Sequence, residues 1–329
     1  MRRPPDHAPS DRPVGRVLRG DARVYHVELD GEVVQAAPRG RLFEELGDVR
    51  TPVTVGDWVV LTESGDPLGI EEVLPRRNQL SKVSSSHDPR EQVLFSNVDQ
   101  LVIVGSLYKP GFSSNRTDRI LAAAHHADIP CVLVLNKVDL DRPKDDEVSE
   151  YETISETYRS AGYPVIGTSA SDELGLEELK ETLKGRTSVL YGASGVGKST
   201  LLNALFGLEL KVGKISKYWS AGKHTTTHSR LIDIDGETEV VDTPGIRVFR
   251  PYGVTKADLR FLFPEFLPFQ KRCRFPDCSH DHEPDCAVAD AVEDGRLATS
   301  RYLSYVEILD ELEPPPEDVP TVDGSAEEV

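Results

Sequence analysis

The chain has 329 residues, with 38 Lys and Arg against 56 Asp and Glu, so its formal net charge is −18. This length predicts two or three domains, and the acidic balance argues against indiscriminate binding of the whole surface to nucleic acid. Four cysteines are too few for a disulfide-stapled fold. No segment resembles a signal peptide or has the roughly 18–20 apolar residues of a membrane span. We therefore expect a cytoplasmic protein without membrane association, and a monomer by default.

The N-terminal part of the sequence predicts a small β-barrel. Residues 1–13 are rich in proline and charge, which is typical of a disordered segment. Residues 14–80 then show short stretches that alternate apolar and polar residues, with Gly-Asp and Asp-Gly pairs between them. Strands at this spacing favour a barrel, and the five-stranded OB-fold fits the length.

A different pattern begins near residue 90 and continues to about 250. Continuous apolar runs at 101–107 and 131–137 are typical of strands buried on both faces. A helix-like stretch, 115–127, lies between them. The same alternation continues with helix 148–161, strand 163–170, helix 175–184 and strand 188–191. Alternating strands and helices predict an α/β domain with a parallel sheet.

The last part of the chain returns to helical patterning. Residues 254–312 surround a cluster of cysteine and histidine residues and predict a mostly helical domain. Residues 313–329 contain acidic residues and three consecutive prolines but no Lys or Arg. This composition predicts a disordered acidic tail.

A phosphate-binding loop is predicted at GASGVGKST, between strand 188–191 and an apolar helix. Its glycines let the backbone N–H groups face phosphate oxygens, and the following helix presents its positive end to the anion. We expect Lys198 to reach the β- and γ-phosphates and Ser199 to bind Mg²⁺. The nucleotide-binding residues of this loop are Gly192, Ala193, Ser194, Gly195, Val196, Gly197, Lys198, Ser199 and Thr200.

Two later motifs resemble the switch elements of a GTPase. Asp242 of DTPG ends an apolar strand, where its carboxylate can hold Mg²⁺ through water. The N–H of Gly245 can meet the γ-phosphate. One threonine of HTTT should complete the Mg²⁺ shell when this phosphate is present. Three candidates, Thr225 to Thr227, remain open, and we favour Thr226.

NKVD, residues 136–139, predicts recognition of guanine. Asp139 can accept two hydrogen bonds from guanine, whereas adenine lacks that donor pair. Lys137 can lie along the base, and Asn136 can brace the neighbouring loops. A second base element, TSA, follows the next predicted strand. The residues expected at the base are Asn136, Lys137, Val138, Asp139, Ser169 and Ala170.

The order of these motifs differs from that of an ordinary GTPase, in which the phosphate loop comes first. Here both base elements precede the phosphate loop and the switches follow it. A parallel sheet tolerates this reordering if the original chain ends lie close together, because joining them and cutting elsewhere keeps every strand in place. The sequence therefore predicts a circularly permuted P-loop GTPase, joined between helix 175–184 and strand 188–191.

A metal site is predicted in the C-terminal domain. Cys273, Cys278, His280 and Cys286 have the spacing C-x4-C-x-H-x5-C. Three thiolates and one imidazole suit a closed, tetrahedral structural Zn²⁺ site. His282 is an alternative ligand by its position in the sequence.

Together, the permuted motifs and the cysteine spacing resemble the RsgA/YjeQ family of ribosome-assembly GTPases over about residues 14–312. The resemblance implies a late role in maturation of the small ribosomal subunit, with GTP hydrolysis stimulated by that subunit. It selects His280 as the zinc ligand. It also implies that His224, rather than the aliphatic Ile246 after DTPG, positions the attacking water.

RNA binding has one further indication in the sequence. Residues 211–230 contain five basic and no acidic residues, interrupted by Tyr218 and Trp219. Such a segment can follow an RNA backbone and stack on bases, although a solvated loop has the same composition. An alternative function is a nucleotide-gated RNA-binding module with incidental hydrolysis. A third, an ATP-dependent small-molecule kinase, is disfavoured because Asp139 would pair poorly with adenine.

Overall fold

The computed structural model of the chain describes residues 4–21, 24–40, 42, 49–85, 88–143, 148–208, 229–243 and 249–312. The predicted acidic tail, residues 313–329, lies outside these ranges. Within them, residues 4–13 contain turns and bends but no helix or strand. No helix in the described ranges is long and apolar enough to cross a membrane.

The predicted N-terminal barrel is confirmed. Its first strand pairs with both the second and the fourth strand, which closes the sheet on itself and removes its free edges. Alternate side chains of these strands, among them Val17, Val27 and Ile70, are fully buried in the barrel core. The strands are β1 (Val14–Asp21), β2 (Val24–Leu29), β3 (Glu32–Pro38), β4 (Trp58–Leu61) and β5 (Leu68–Val73).

A β-hairpin that the sequence pattern did not predict follows the barrel. It consists of β6 (Gln79–Ser85) and β7 (Asp88–Ser96). The Val83 N–H donates to the carbonyl of Arg250 at 2.9 Å. The hairpin therefore holds the chain shortly after the DTPG sequence.

The central domain is the predicted α/β domain. Its sheet has the order β10-β9-β8-β11-β13-β12, and every pairing except that of β12 is parallel. The parallel strands are almost entirely buried, as their continuous apolar runs require. They are β8 (Gln100–Ser106), β9 (Cys131–Asn136), β10 (Val165–Thr168), β11 (Thr187–Tyr191), β12 (Arg230–Asp233) and β13 (Glu239–Asp242).

Helices of the central domain cover this sheet. The chain passes from the third helix to β11 through residues 184–186 alone, at the position where the sequence predicts the permutation join. The helices are α1 (Ser114–His126), α2 (Glu150–Ser160), α3 (Leu176–Leu183) and α4 (Lys198–Phe206).

The C-terminal module is mostly helical, as predicted. Its core is aromatic: the ring of Phe263 lies 5.2 Å from the rings of Phe266 and Tyr305, measured between centroids. All three side chains are fully buried. The helices are α5 (Lys256–Leu259), α6 (Leu267–Gln270), α7 (Ala287–Glu293) and α8 (Thr299–Glu311).

One buried arginine joins this module to the central domain. Arg301 of α8 is 1% exposed and donates to Asp118 of α1 at 2.5 Å and to Glu265 at 2.7 Å. The guanidinium carbon also lies 4.5 Å from the centre of the Phe263 ring. Because a buried cation is stable only when paired, Arg301 fixes α8 against α1.

A second buried arginine joins the barrel to the central sheet. Arg16 of β1 and Glu239 of β13 are both buried, and their charged groups lie 3.0 Å apart. Thr187 of β11 donates to the same carboxylate at 2.6 Å. The two flanking modules are therefore each tied to the central domain by a desolvated ion pair.

We predict that Arg301→Met lowers the free energy of unfolding by about 3–5 kcal/mol, because it leaves the buried carboxylates of Asp118 and Glu265 without their cation. Arg274→Met is the matched control. It breaks the exposed pair with Asp285, in which the two side chains are 61% and 69% exposed, and should change stability by less than about 1 kcal/mol. Denaturant unfolding measures both, and equal shifts would contradict a special role for Arg301.

Candidate functional site

The predicted phosphate loop forms a tight turn between β11 and α4. Gly195 and Gly197 have φ values of 89° and 104°, a backbone region that favours glycine. Gly192 is equally constrained, because a Cβ atom there would lie 2.3 Å from the carbonyl oxygen of Val104. Each of these glycines is required by the path of the backbone.

Lys198 lies over this turn. Its buried side chain donates from Nζ to the carbonyls of Gly192 at 2.7 Å and Ala193 at 3.3 Å. Burial lowers the pKa of Lys198, and the nearby carboxylate of Asp242 acts in the opposite direction. The ammonium group is therefore in a dry position where a phosphate would be a favourable partner.

Asp242 ends β13 beside the loop. In the parallel pairing of β11 with β13 it lies opposite Leu190, shortly before the phosphate loop begins. Burial raises the pKa of Asp242, whereas Lys198 lowers it. Its Oδ1 atom is buried and has no hydrogen-bond partner within the described ranges. Together with the buried Ser199 it offers oxygen ligands that suit Mg²⁺.

Asn136 connects three motifs that are far apart in the sequence. Its Nδ2 donates to the carbonyl of Val196 in the phosphate loop at 2.8 Å. Its Oδ1 accepts from the hydroxyl of Thr168 at 3.1 Å, directly before Ser169. Asn136 is 3% exposed, so both bonds lie in the interior. The base-reading motifs and the phosphate loop are thus in direct contact.

Lys137 adds a second link. Its Nζ donates to the carbonyls of Tyr108, Lys109 and Gly195 at 2.9, 2.7 and 2.9 Å. The loop after β8, residues 107–113, is therefore part of the site, which the sequence analysis missed. Its Pro110-Gly111 pair after a buried strand was the available signal.

The remaining base residues lie at the same edge of the sheet. Asp139 is in a short 3-10 helix, Val138–Leu140, and its carboxylate has no hydrogen-bond or ion-pair partner among the residues that the structure covers. Ser169 is buried, and its hydroxyl accepts from the Asp172 N–H at 3.2 Å, which stabilises the turn that carries Ala170. Asp139 is free to meet a ligand.

Three residues predicted for the site, His224, Thr226 and Gly245, lie outside the described residues, as does Ile246. Of the phosphate loop, Val196 is buried against the sheet, Ser194 is exposed, and Ala193 and Thr200 are half-buried.

The four predicted zinc ligands form one cluster. The potential ligand atoms of Cys273, Cys278, His280 and Cys286 all lie within 4.8 Å of one another. The Nδ1 atom of His280 is 3.6 Å from the Cys273 sulphur and 3.5 Å from the Cys286 sulphur. Tetrahedral zinc with Zn–S of ~2.3 Å and Zn–N of ~2.0 Å separates such atoms by about 3.5 Å. The cluster therefore could hold zinc.

The surroundings also suit metal binding. Burial lowers the pKa of His280 to about 4, so the imidazole is neutral at pH 7, the form that binds a metal. Burial raises the pKa of the Cys278 and Cys286 thiols, and a divalent cation would reverse this shift. The alternative ligand, His282, has a side chain that is 80% exposed, and it lies outside the cluster.

The fold and the site define a circularly permuted P-loop GTPase with a β-barrel before it and a cysteine-histidine module after it. Comparison with known proteins agrees. The profile of the RsgA GTPase family matches residues 73–251. The small ribosomal subunit biogenesis GTPase RsgA 2 of Bacteroides thetaiotaomicron is 35% identical over 305 residues, which cover 91% of this chain and 97% of that protein.

Solved structures lead to the same family. The crystal structure of YjeQ from Thermotoga maritima has 35% sequence identity and a TM-score of 0.69, and the match covers 92% of this chain and 98% of that one. YloQ, a circularly permuted GTPase, has 30% identity and a TM-score of 0.66, with 95% of this chain and 100% of that one covered. The chain belongs to the RsgA GTPase family and is a GTP hydrolase.

We predict that Gly197→Ala weakens guanine nucleotide binding at least tenfold. A Cβ atom at this position would lie 2.3 Å from Asn136 Nδ2, at a φ of 104°, and would break the Asn136–Val196 bond. Gly207→Ala is the matched control, because its φ is 64° but nothing lies within 4 Å of the added atom. Titration with a fluorescent GDP analogue measures both variants, and equal affinities would show that the contact is unimportant.

Proposed function

We propose that this protein binds the small ribosomal subunit and hydrolyses GTP to GDP and phosphate late in the maturation of that subunit, which stimulates the hydrolysis. The contact of Asn136 and Lys137 with the phosphate loop supports a single guanine nucleotide at this site. The role in the small subunit is supported by the names of relatives that the chain matches over nearly its whole length.

The chemistry divides among a few side chains. Lys198, once drawn from its carbonyl partners to the phosphates, stabilises the charge that develops on the β- and γ-phosphate oxygens. Ser199, Thr226 and Asp242 hold Mg²⁺, which supplies electrostatic stabilisation of the phosphates when bound. The N–H of Gly245 donates to the γ-phosphate. His224 orients the attacking water, because the aliphatic side chain of Ile246 cannot.

Base selection follows from Asp139. Its carboxylate accepts from the N1–H and N2–H₂ groups of guanine, while Ser169 and Ala170 support the base from the next loop. Adenine would leave the carboxylate poorly paired, which disfavours an ATP-dependent kinase. GTP and ATP competition against a labelled guanine nucleotide distinguishes the two.

The partner is ribosomal RNA in the cytoplasm, and the protein acts as a monomer. The basic segment 211–230 supplies the charge for phosphate contacts in an otherwise acidic chain.

We also propose that the four clustered ligands of the C-terminal module hold one structural Zn²⁺, which stabilises a module with a small core.

We predict slow hydrolysis by the isolated protein and a rise of at least tenfold with purified small subunits, measured as multiple-turnover phosphate release. His224→Ala should abolish the stimulated rate while guanine nucleotide binding persists. The second candidate function, a nucleotide-gated RNA-binding module, is favoured by Ile246. It predicts subunit binding with no stimulated turnover, and that result would overturn our proposal.

We predict one zinc per chain in freshly purified protein, measured by elemental analysis. Removal with a strong chelator should lower the thermal midpoint of the C-terminal module, because the three clustered thiols and His280 would lose the cation that they share. His282→Ala is the control and should retain the metal. Zinc well below one per chain in the unmodified protein, or loss of zinc from the His282→Ala variant, would contradict the assignment.

A further inference from the structure

The acidic C-terminal segment begins next to the nucleotide site. Helix α8 ends at Glu311, and Leu312 caps it. The residues that follow, 313–329, contain six acidic and no basic side chains. The structure places the start of this segment at a cavity beside the phosphate loop.

This cavity has a volume of about 310 Å³. Gly192 and Ala193 of the phosphate loop form one side of it, and Glu311 lies at its border. Its walls carry three apolar rings and three arginines: Phe112, Tyr191, Phe249, Arg116, Arg119 and Arg250. We call this space the arginine cavity.

Glu311 already shows how a carboxylate binds at this border. Its Oε1 atom accepts from Arg119 Nη2 at 2.8 Å. The hydrogen bond from Arg119, together with the charges of Arg119 and Arg250, lowers the pKa of Glu311. The surface next to the tail is therefore positive enough to hold an anionic side chain.

Two cations of the cavity remain available. Arg116 and Arg250 are exposed, and neither side chain has an ion-pair or hydrogen-bond partner within the described residues. In the C-terminal module, Arg274 donates to Asp285 at 3.0 Å and Arg296 donates to Asp294 at 2.7 Å, whereas Lys271 and Arg272 are exposed. The arginine cavity differs from that surface because its two available guanidinium groups lie together with Glu311, directly before the tail begins.

The length and the proline content of the tail sequence are compatible with its reaching the cavity. Pro314 to Pro316 favour an extended polyproline conformation, with a rise of ~3.1 Å per residue. Glu317 and Asp318 are consequently within about 15–19 Å of Leu312 along the chain. Restricted prolines also reduce the entropy that is lost on docking.

We propose that the acidic segment 313–329 folds back onto the arginine cavity and pairs its carboxylates with Arg116 and Arg250. It is then an intramolecular competitor for anionic partners at the edge of the phosphate loop. The docked segment also covers Phe249 and Arg250, close after the DTPG sequence. The competition with ribosomal RNA rests on the proposed function, whereas the docking itself does not.

Zero-length carbodiimide cross-linking of the full chain tests the docking. The tail has no lysine, so the Arg116→Lys and Arg250→Lys variants provide amines that can react with its carboxylates. We expect an intrachain cross-link between the tail and each substituted position, identified by mass spectrometry, that weakens at least threefold in high salt. The natural exposed Lys271 of the C-terminal module is the internal comparison.

Any one of three results would overturn the proposal: tail cross-links to Lys271 alone, cross-links only between two chains, or no tail cross-link at all.

A second variant tests the competition, with all six tail acids replaced by Asn or Gln. It should reduce the small-subunit concentration for half-maximal stimulation about three- to tenfold, and an unchanged concentration would overturn the competitive role. If subunits stimulate neither protein, the proposed function fails while the cross-linking result still decides the docking.

Discussion

The nucleotide site depends on the buried side chain of Asn136. One amide joins the phosphate loop, through the carbonyl of Val196, to the turn after β10, through the hydroxyl of Thr168. An unpaired amide in this interior would be unfavourable, so the three segments are stable only together. The same contact requires glycine at position 197, because any side chain there would collide with the Asn136 amide. The order of the motifs along the chain is then of no consequence to the site.

Because of the circular permutation, the chain continues from the DTPG switch motif into the C-terminal module. The chain that leaves Thr243 is held again at Arg250, whose carbonyl accepts from Val83 of the hairpin. It then enters the C-terminal module, in which Arg301 is locked to Asp118 of α1. Thr243 and Arg250, described residues on either side of the rest of DTPG, are each held by a hydrogen bond to another segment.

The two buried arginines define how the three parts are assembled. Arg16 pairs with Glu239 at the start of β13, and Asp242 ends the same strand at the phosphate loop. Arg301 pairs with Asp118 within α1, which begins directly after the loop that Lys137 contacts. Each flanking module is thus fastened to an element that also reaches the nucleotide site. Such pairs contribute more to a unique arrangement than to net stability, because desolvation opposes their attraction.

The sequence by itself determined most of the elements, though not the hairpin of β6 and β7, and most of the chemistry. Period-two alternation predicted the barrel, continuous apolar runs predicted the parallel sheet, and local motifs identified NKVD, the phosphate loop and the cysteine-histidine cluster, because each depends on residues close together in the chain. Only the tertiary structure decided the contacts between distant segments: the Asn136 bridge, the role of residues 107–113, the exclusion of His282 and the buried arginines. The physical reason is that burial and pairing are properties of the packed chain. An arginine such as Arg301 looks in the sequence like any surface cation, and only packing removes it from water.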